Sequence, residues 1–257
     1  MLADSADPGF RRSLQGIAAE LARLAGWTFF DARQYSTART YFTQSLRLAR
    51  AIDDSAFAAN VLACLSLQAT YQDRAEEAVT LARTAQDVAR HDGGTPRLMA
   101  MLSMREAFGH ASAHDRSATY AAIGEAQRHF EQVGPADDPP WVRYFDRTKL
   151  TVDIGIALGQ LGDAGAAEPL IAEALHSEPE TNLRGRAFHS FWLARTQLQR
   201  GNVEAACKTA DDALNLSMTV DSPRVAAHLQ EFRRLLTPFR SSRPVTELDA
   251  RLAEAAG

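Results

Sequence analysis

The chain of 257 residues has only two cysteines, Cys64 and Cys207. Two are too few for the disulfide framework that holds small secreted domains together. Both lie among small residues in helical runs, so we expect buried, reduced thiols. No apolar stretch approaches the about 20 residues that span a bilayer, and the start, MLADSADPGFRRSLQG, has no apolar signal-peptide segment. We therefore expect a cytoplasmic protein that does not bind a membrane.

The sequence also has no excess of basic residues, since 28 Lys and Arg face 32 Asp and Glu for a net charge of -4. Nucleic-acid binding needs a basic face that displaces phosphate counterions, so we expect no direct binding to nucleic acid. Gly-rich phosphate loops, the G-x-S-x-G elbow and C-x-x-C are absent. The acidic pairs fall at expected helix starts or on solvated faces, where carboxylates stabilise helix ends; they are Glu76-Glu77, Asp137-Asp138 and Asp211-Asp212. We expect no enzyme and no cofactor.

One histidine pair resembles a metal motif. His110 and His114 have the i, i+4 spacing that places two imidazoles on one helix face, and Asp115 follows. No Glu stands between them as in a zinc protease, and His114 and Asp115 fall where we expect a turn. We interpret them as polar turn residues and expect no metal site.

Ala, Leu, Arg, Glu and Gln dominate the composition, and this mixture favours helix almost throughout. The length exceeds the usual size of a single core, so the chain should contain two domains or an array of repeats. Residues 151–179, TVDIGIALGQLGDAGAAEPLIAEALHSEP, show a helix, a turn and a second helix with small residues at the expected crossing. The order matches the tetratricopeptide pattern; its residues are Gly155, Leu158, Gly162, Asp163, Ala167, Ile171, Ala174 and Pro179.

The same unit recurs along the chain. We predict an all-α fold: a tetratricopeptide-like right-handed superhelix of about five helix pairs plus C-terminal capping helices, after a disordered tail of residues 1–9. Residues 10–257 would be a single domain, with pairs over approximately 10–53, 54–92, 95–133, 138–179 and 183–219, and a cap over 222–255. Its units are longer than the ~34 residues usual for this repeat. The small residues of the second helices, spaced by 40, 41, 48 and 39 residues, are Ala38, Ala78, Thr119, Ala167 and Ala206.

Two pair boundaries have explicit capping signals. Thr95 should cap a helix whose first residue is Pro96. Asp138 should likewise cap a helix that begins with Pro139 and Pro140 and continues through WVRYFDRTKLTVDIGIALGQ.

Several stretches resemble, beyond the generic repeat, the C-terminal sensory region of large actinobacterial helix-turn-helix transcriptional regulators with tetratricopeptide repeats. These stretches are LARLAGWTFFDARQYSTARTYFTQSLRLA, AANVLACLSLQATY, TPRLMAMLSMREAFGHA, PADDPPWVRYFD and ALGQLGDAGAAEPLIAEAL. The resemblance implies repeats that dimerise or receive a signal for a DNA-binding domain. No helix-turn-helix sequence precedes Phe10, so DNA binding is not carried over. Both a free-standing sensory module and the repeat region of a longer protein fit the sequence.

The expected binding site is the concave groove lined by the first helix of each pair. Projection at 100° per residue places apolar residues there as an adaptable floor, and polar ones to hold peptide carbonyls or a carboxylate. For each, packing between repeats is the alternative interpretation. The candidates are Arg23, Trp27, Asn60, Leu67, Met101, Met104, Phe108, Trp141, Asp146, Lys149, Phe191 and Arg195.

The function expected from these observations is a non-enzymatic regulatory module. It would bind a peptide or a small-molecule signal in the groove and mediate protein–protein interaction in transcriptional regulation. The alternative is a constitutive adaptor or dimerisation scaffold that binds no ligand. For a homodimer, Arg233-Arg234 with Leu235-Leu236 are the candidate contact.

Overall fold

A computed structural model describes residues 7–134, 138–220 and 222–254. Over these residues every regular element is a helix, and no strand occurs. Contacts between Cα atoms divide the chain into two compact units, Met1–Arg143 and Tyr144–Gly257. The all-α prediction is thereby confirmed.

The first unit contains three successive helix pairs. They are α1 (Pro8–Asp31) with α2 (Tyr35–Ala51), α3 (Ser55–Tyr71) with α4 (Ala75–His91), and α5 (Pro96–Ser112) with α6 (Arg116–Glu131), followed by a 3-10 turn at Pro140–Val142. The helices within each pair pack closely against one another, and α2 also contacts α3 as α4 contacts α5. Each pair therefore packs on the next along the chain.

The second unit contains two helix pairs followed by two further helices. Its helices are α7 (Arg147–Leu161), α8 (Ala164–Ser177), α9 (Leu183–Gln199), α10 (Val203–Val220), α11 (Pro223–Leu235) and α12 (Arg243–Glu254), with a 3-10 turn at Thr237–Phe239. The extensive contacts are between α7 and α8 and between α9 and α10, while α12 packs on α10. None of the helices described is long and apolar enough to cross a membrane.

One turn conformation joins the two helices of every pair. A single residue at the end of the first helix has positive φ, which lets the backbone reverse within three residues or fewer. After α7, for example, the N–H of Asp163 donates to the Leu158 carbonyl at 2.8 Å, a Schellman-type closure. The residues with positive φ are Arg33 (60°), Asp73 (56°), His114 (56°), Gly162 (91°) and Gly201 (81°).

Small residues lie where the paired helices cross, as the sequence pattern predicted. A Cβ added to Gly26 of α1 would meet the Phe42 ring of α2 at 2.5 Å, and one added to Gly155 of α7 would meet Ile171 Cγ1 of α8 at 2.6 Å. Phe42 and Ile171 are both fully buried. These two glycines therefore allow an approach between helices that any larger residue would prevent.

The two helices of the second pair differ in burial. Thirteen of the 17 residues of α3 are buried, including polar ones, whereas only five of the 17 residues of α4 are. A helix that is buried on nearly all sides has little surface in contact with water. Its polar side chains must therefore form hydrogen bonds inside the protein. A polar side chain of such a buried helix that lacks a hydrogen-bond partner is therefore a candidate for binding a ligand.

The prediction that a long helix starts at Pro139 is wrong. Pro139 is extended (φ -51°, ψ 138°) because it precedes another proline, and only the 3-10 turn follows. The helix α7 begins later, at Arg147, where the Asp146 carboxylate accepts the Lys149 N–H at 2.8 Å. Asp138 instead accepts Arg97 Nε at 2.6 Å. The proline pair thus ends a connection rather than starting the long helix.

The other expected boundaries are close to those observed. Thr95 Oγ1 accepts the Leu98 N–H at 3.2 Å with Pro96 in the first turn, as predicted. Helix α1 begins at Pro8, two residues before Phe10. Of the expected disordered tail, residues 1–6 lie outside the described residues, as do Asp137 of one acidic pair and Ala255 at the end of the cap.

Candidate functional site

In the first unit, α1 and α3 meet through the residues predicted to line the groove. Arg23 and Trp27 lie one turn apart on α1 and face α3. The Arg23 guanidinium carbon is 5.8 Å from the centroid of the Phe57 ring, and the Trp27 side chain acts to lower the pKa of the Cys64 thiol. Arg23 and Trp27 thus both face α3. Their neighbours there, Phe57 and Cys64, lie about one turn before and one turn after Asn60.

Helix α5 adds a second cation to this surface. Arg105 is only 6% exposed, and its guanidinium carbon lies 5.8 Å from the Phe108 ring centroid. Burial raises the pKa of the Cys64 thiol to about 11, even though the positive charges of Arg23 and Arg105 act to lower it. The positive charges of two arginines therefore act on the same buried thiol.

Asn60 of α3 is one of several buried polar residues that have a side-chain atom without a hydrogen-bond partner among the described residues. It is 5% exposed, and its side-chain Nδ2 is buried with no hydrogen-bond partner; Arg23 Nε, also buried, has none either. Leaving a buried donor unsatisfied costs about 1–3 kcal/mol. Gln68, two turns further along the same helix, differs because its Nε2 donates to the Tyr35 carbonyl at 2.8 Å. Among the described residues of this surface, Gln68 is left with an unpartnered acceptor, its Oε1, whereas Asn60 and Arg23 are each left with an unpartnered donor.

The apolar groove candidates of the first unit are mostly interior. Met101, Met104 and Phe108 of α5 are buried, at 1%, 0% and 5% exposure, whereas Leu67 is partly exposed. Trp141, partly buried, packs edge-on against Phe57 with centroids 5.7 Å apart. Most of these side chains therefore pack inside the unit, as Asn60 and Arg105 also do.

In the second unit, two polar candidates form contacts within their own helix. Asp146 caps α7, and Lys149 Nζ lies 2.5 Å from the carboxylate of Asp153, which is buried. Desolvation makes an unpaired buried carboxylate costly, so Lys149 neutralises Asp153. The structure brings Asp146 and Lys149 together as parts of the start of α7.

Phe191 and Arg195 lie one turn apart on α9 against α11. The Phe191 ring is fully buried and stacks on His228 with centroids 4.5 Å apart. Arg195 lies over the Trp192 ring at 5.1 Å and 3.6 Å from Glu231, while its Nε is buried without a partner. The Arg195 guanidinium group is therefore largely engaged by Glu231 and Trp192.

Sequence reasoning missed Phe57, Cys64 and Arg105 as members of the α1–α3–α5 surface. Arg105 follows Met101 by four residues on one face of α5, so the projection that selected Met101 contained the signal. An arginine within a methionine-rich helical run, PRLMAMLSMREAF, indicates a buried charge near the groove.

His110 belongs to a different, structural cluster. Its Nε2 lies 3.4 Å from the carboxylate of Glu106, which also accepts Arg83 Nε at 2.7 Å. Burial acts to raise the pKa of Glu106, but hydrogen bonds from Arg83 and Gln86 outweigh it and lower the pKa below its ordinary value. His114 lies apart from this cluster, in the turn. Within the part of the chain described, no three potential ligands gather as a metal site would require.

The C-terminal dimer candidate is partly engaged within the chain. Arg233 pairs with Asp249 of α12 at 2.5 Å, and Leu236 is buried, whereas Leu235 is 42% exposed.

No protein-family model and no curated protein matches this chain. The geometry of the α1–α3–α5 surface is therefore the basis for any functional assignment.

Proposed function

We propose that the chain is a non-enzymatic, tetratricopeptide-like regulatory module that binds a peptide or a small signal. The binding surface is formed by the first helices α1, α3 and α5, and it is centred on Asn60, Arg23 and Arg105. The observation that carries the proposal is the unpartnered Nδ2 of Asn60, a buried donor that no residue described by the structure satisfies.

The chemistry of the surface indicates which ligands fit. Asn60 Nδ2 and Arg23 Nε are donors, and both lack an acceptor. Arg105 adds a second, buried guanidinium group, whose charge acts on the Cys64 thiol as that of Arg23 does. Guanidinium groups and amides bind carboxylates and peptide carbonyls with good geometry, and a charged acceptor strengthens each bond. The ligand class supported best is therefore a peptide or small acid that presents a carboxylate or carbonyl oxygen.

Binding would act through the packing of neighbouring helix pairs. Each pair packs on the next, so a ligand that contacts α1, α3 and α5 together stabilises one arrangement of the three pairs over others. The shift is limited by the difference in the ligand's affinity for the two arrangements. In a right-handed superhelix this would be a change in curvature that a partner protein detects. The resemblance to transcriptional regulators suggests that the partner acts in transcription.

An immobilised peptide array tests the proposal, with each peptide present with a free C-terminal carboxylate and with an amide. We expect the wild type to prefer carboxylates, and Asn60→Leu and Arg23→Gln to bind about 10-fold or more weakly, because each removes a charge-assisted or buried hydrogen bond. Arg47→Gln, an exposed cation on α2, is the matched control and should bind as the wild type does. Equal binding by all variants, or no difference between carboxylate and amide, contradicts the proposal.

A second candidate function, the constitutive dimerisation scaffold, is favoured by one separate observation. Helix α1 has a row of exposed apolar residues on the side that faces away from α2. A scaffold would bind no peptide in the array and would still self-associate.

A further inference from the structure

The most concentrated exposed apolar surface of the molecule is one face of α1. Nine large hydrophobic side chains are exposed among the described residues, and five of them lie on this helix. They are Phe10 (57% exposed), Leu14 (49%), Ile17 (57%), Leu21 (60%) and Leu24 (49%), which we call the α1 stripe. Contiguous apolar surface of this kind marks a site of protein interaction.

The spacing of the stripe identifies the shape of its partner. Successive members are separated by four, three, four and three residues, which is the a/d pattern of a heptad repeat. A seam with a period of 3.5 residues stays in register only with another helix that has the same period. The stripe therefore fits a helix with an apolar heptad seam, rather than a sheet or a globular pocket.

The rest of α1 shows that the stripe takes no part in the packing of α1 against the other described helices. The opposite face, with Ala19, Ala22, Gly26 and Phe30, is buried, and Gly26 lies against Phe42 of α2. Helix α1 has 24 residues, while α2 has 17, and residues 8–14 are exposed on every side. Short helical segments without tertiary packing are marginal in water. Packing against a second protein chain would therefore stabilise the first turns of α1.

The charges beside the stripe favour a second copy of the same helix. Residues 13–19 carry no charge, so two stripes approach without like-charge repulsion. Arg11 and Arg12 lie near the start of the stripe, and Glu20 lies in its second half, 3.9 Å from Arg23 of the same helix. Antiparallel pairing centred near Ile17 brings the arginines of one copy within about a turn of Glu20 of the other, and it also opposes the two helix dipoles. Parallel pairing would instead place four arginines together.

The area is sufficient for a dimer. A large hydrophobic side chain exposes on the order of 200 Å² when fully open, so five that are about half exposed present about 500 Å² per copy. Pairing two stripes buries roughly 1,000 Å² in total, which reaches the lower limit for a specific protein interface.

From these observations we infer that the α1 stripe is the homodimer interface of this protein, formed by antiparallel pairing of α1 with α1 of a second copy. The interface is built from side chains other than Asn60 and Arg105, so it stands whether or not the chain binds a peptide. It also replaces the C-terminal residues Arg233 and Leu236 as the candidate dimer contact.

Sedimentation velocity on the full chain from about 1 to 200 µM tests the interface. We expect a concentration-dependent monomer–dimer equilibrium. Leu21→Glu should raise the dimer dissociation constant about 100-fold, because pairing would desolvate a carboxylate in an apolar seam. Met218→Glu is the matched control, since Met218 is also 60% exposed but lies on α10; its dissociation constant should be unchanged. A wild type that is monomeric throughout, or equal dissociation constants for both variants, overturns the inference.

Cysteine crosslinking tests the orientation. Cys64 and Cys207 are buried, so crosslinks formed under mild oxidation can be attributed to the added surface cysteines. In the antiparallel arrangement, a mixture of Phe10→Cys and Leu24→Cys chains should crosslink under mild oxidation, and Phe10→Cys alone should not. Crosslinking of Phe10→Cys alone overturns the antiparallel arrangement. Circular dichroism of each variant should match the wild type, because the stripe is exposed in the single chain.

Discussion

Alanine at Gly155 tests whether close helix crossing holds each pair together. The new Cβ would lie 2.6 Å from Ile171 Cγ1, and 3.2 Å from both the Ala167 carbonyl oxygen and the Ile171 amide nitrogen. Ile171 is fully buried and β-branched, and the other two contacts are backbone of α8, so little can move away. Helices α7 and α8 must separate to admit the methyl group.

The magnitude follows from two opposed effects. Overpacking of a filled core costs about 1–3 kcal/mol, and replacing a mid-helix glycine by alanine gains up to about 1 kcal/mol. Because two of the three contacts are with backbone, we expect a net loss of about 1–2 kcal/mol in the free energy of unfolding.

Gly165→Ala is the control, because that helical position in α8 has no heavy atom within 4 Å of an added Cβ. It keeps the helix-propensity gain without the clash and should stabilise the protein by up to about 1 kcal/mol. Urea unfolding of both variants gives the comparison. If Gly155→Ala is as stable as Gly165→Ala, the crossing contact does not limit how closely the two helices approach.

Three further predictions concern turns, pH and thiols. His114→Gly should raise the free energy of unfolding by about 0.5–1 kcal/mol, because a non-glycine residue with positive φ is strained, whereas Gly162→Ala should lower it by about 1 kcal/mol; thermal unfolding checks both. The folded-state pKa of Glu106 lies below its ordinary 4.5, so its stabilisation is present above that pH and is lost as the pH falls through the folded-state pKa. Glu106→Gln should therefore flatten the loss of stability on acidification, measured by urea unfolding from about pH 6 to 3. Cys64, with its pKa raised to about 11, should resist a thiol reagent at neutral pH until urea unfolds the chain; rapid labelling of the native protein would contradict its burial.

Much of the fold could be predicted because local chemistry determines it. Gly26 and Phe42, and Gly155 and Ile171, occupy matching positions in their pairs, and the structure brings each set into contact. Gly162 and Thr95 likewise act where their backbone preferences predict. The start of α7 could not be read in this way. Pro139 and Pro140 resemble a helix start, but a proline also extends the residue before it, and two in succession favour the extended conformation.

The site was harder to predict, because α3 and α5 are buried on almost every side. Projection around a helix separates an inner from an outer face only when one of them is polar. Met101 and Met104 therefore read as groove residues although both are inside the unit. Asn60 could be identified because a buried amide needs partners wherever it points, and that rule does not depend on choosing the correct face.

The most direct test of the proposed binding surface is the stability of Asn60→Leu in the absence of ligand. If Asn60 Nδ2 is an unsatisfied buried donor held for a ligand, the nearly isosteric leucine should raise the free energy of unfolding by about 1 kcal/mol or more. Gln68→Leu, which leaves the Tyr35 carbonyl without its donor, should lower it by about 1–3 kcal/mol. A loss of stability in Asn60→Leu comparable to that in Gln68→Leu would show that the free protein already satisfies the amide, and it would contradict the proposed site.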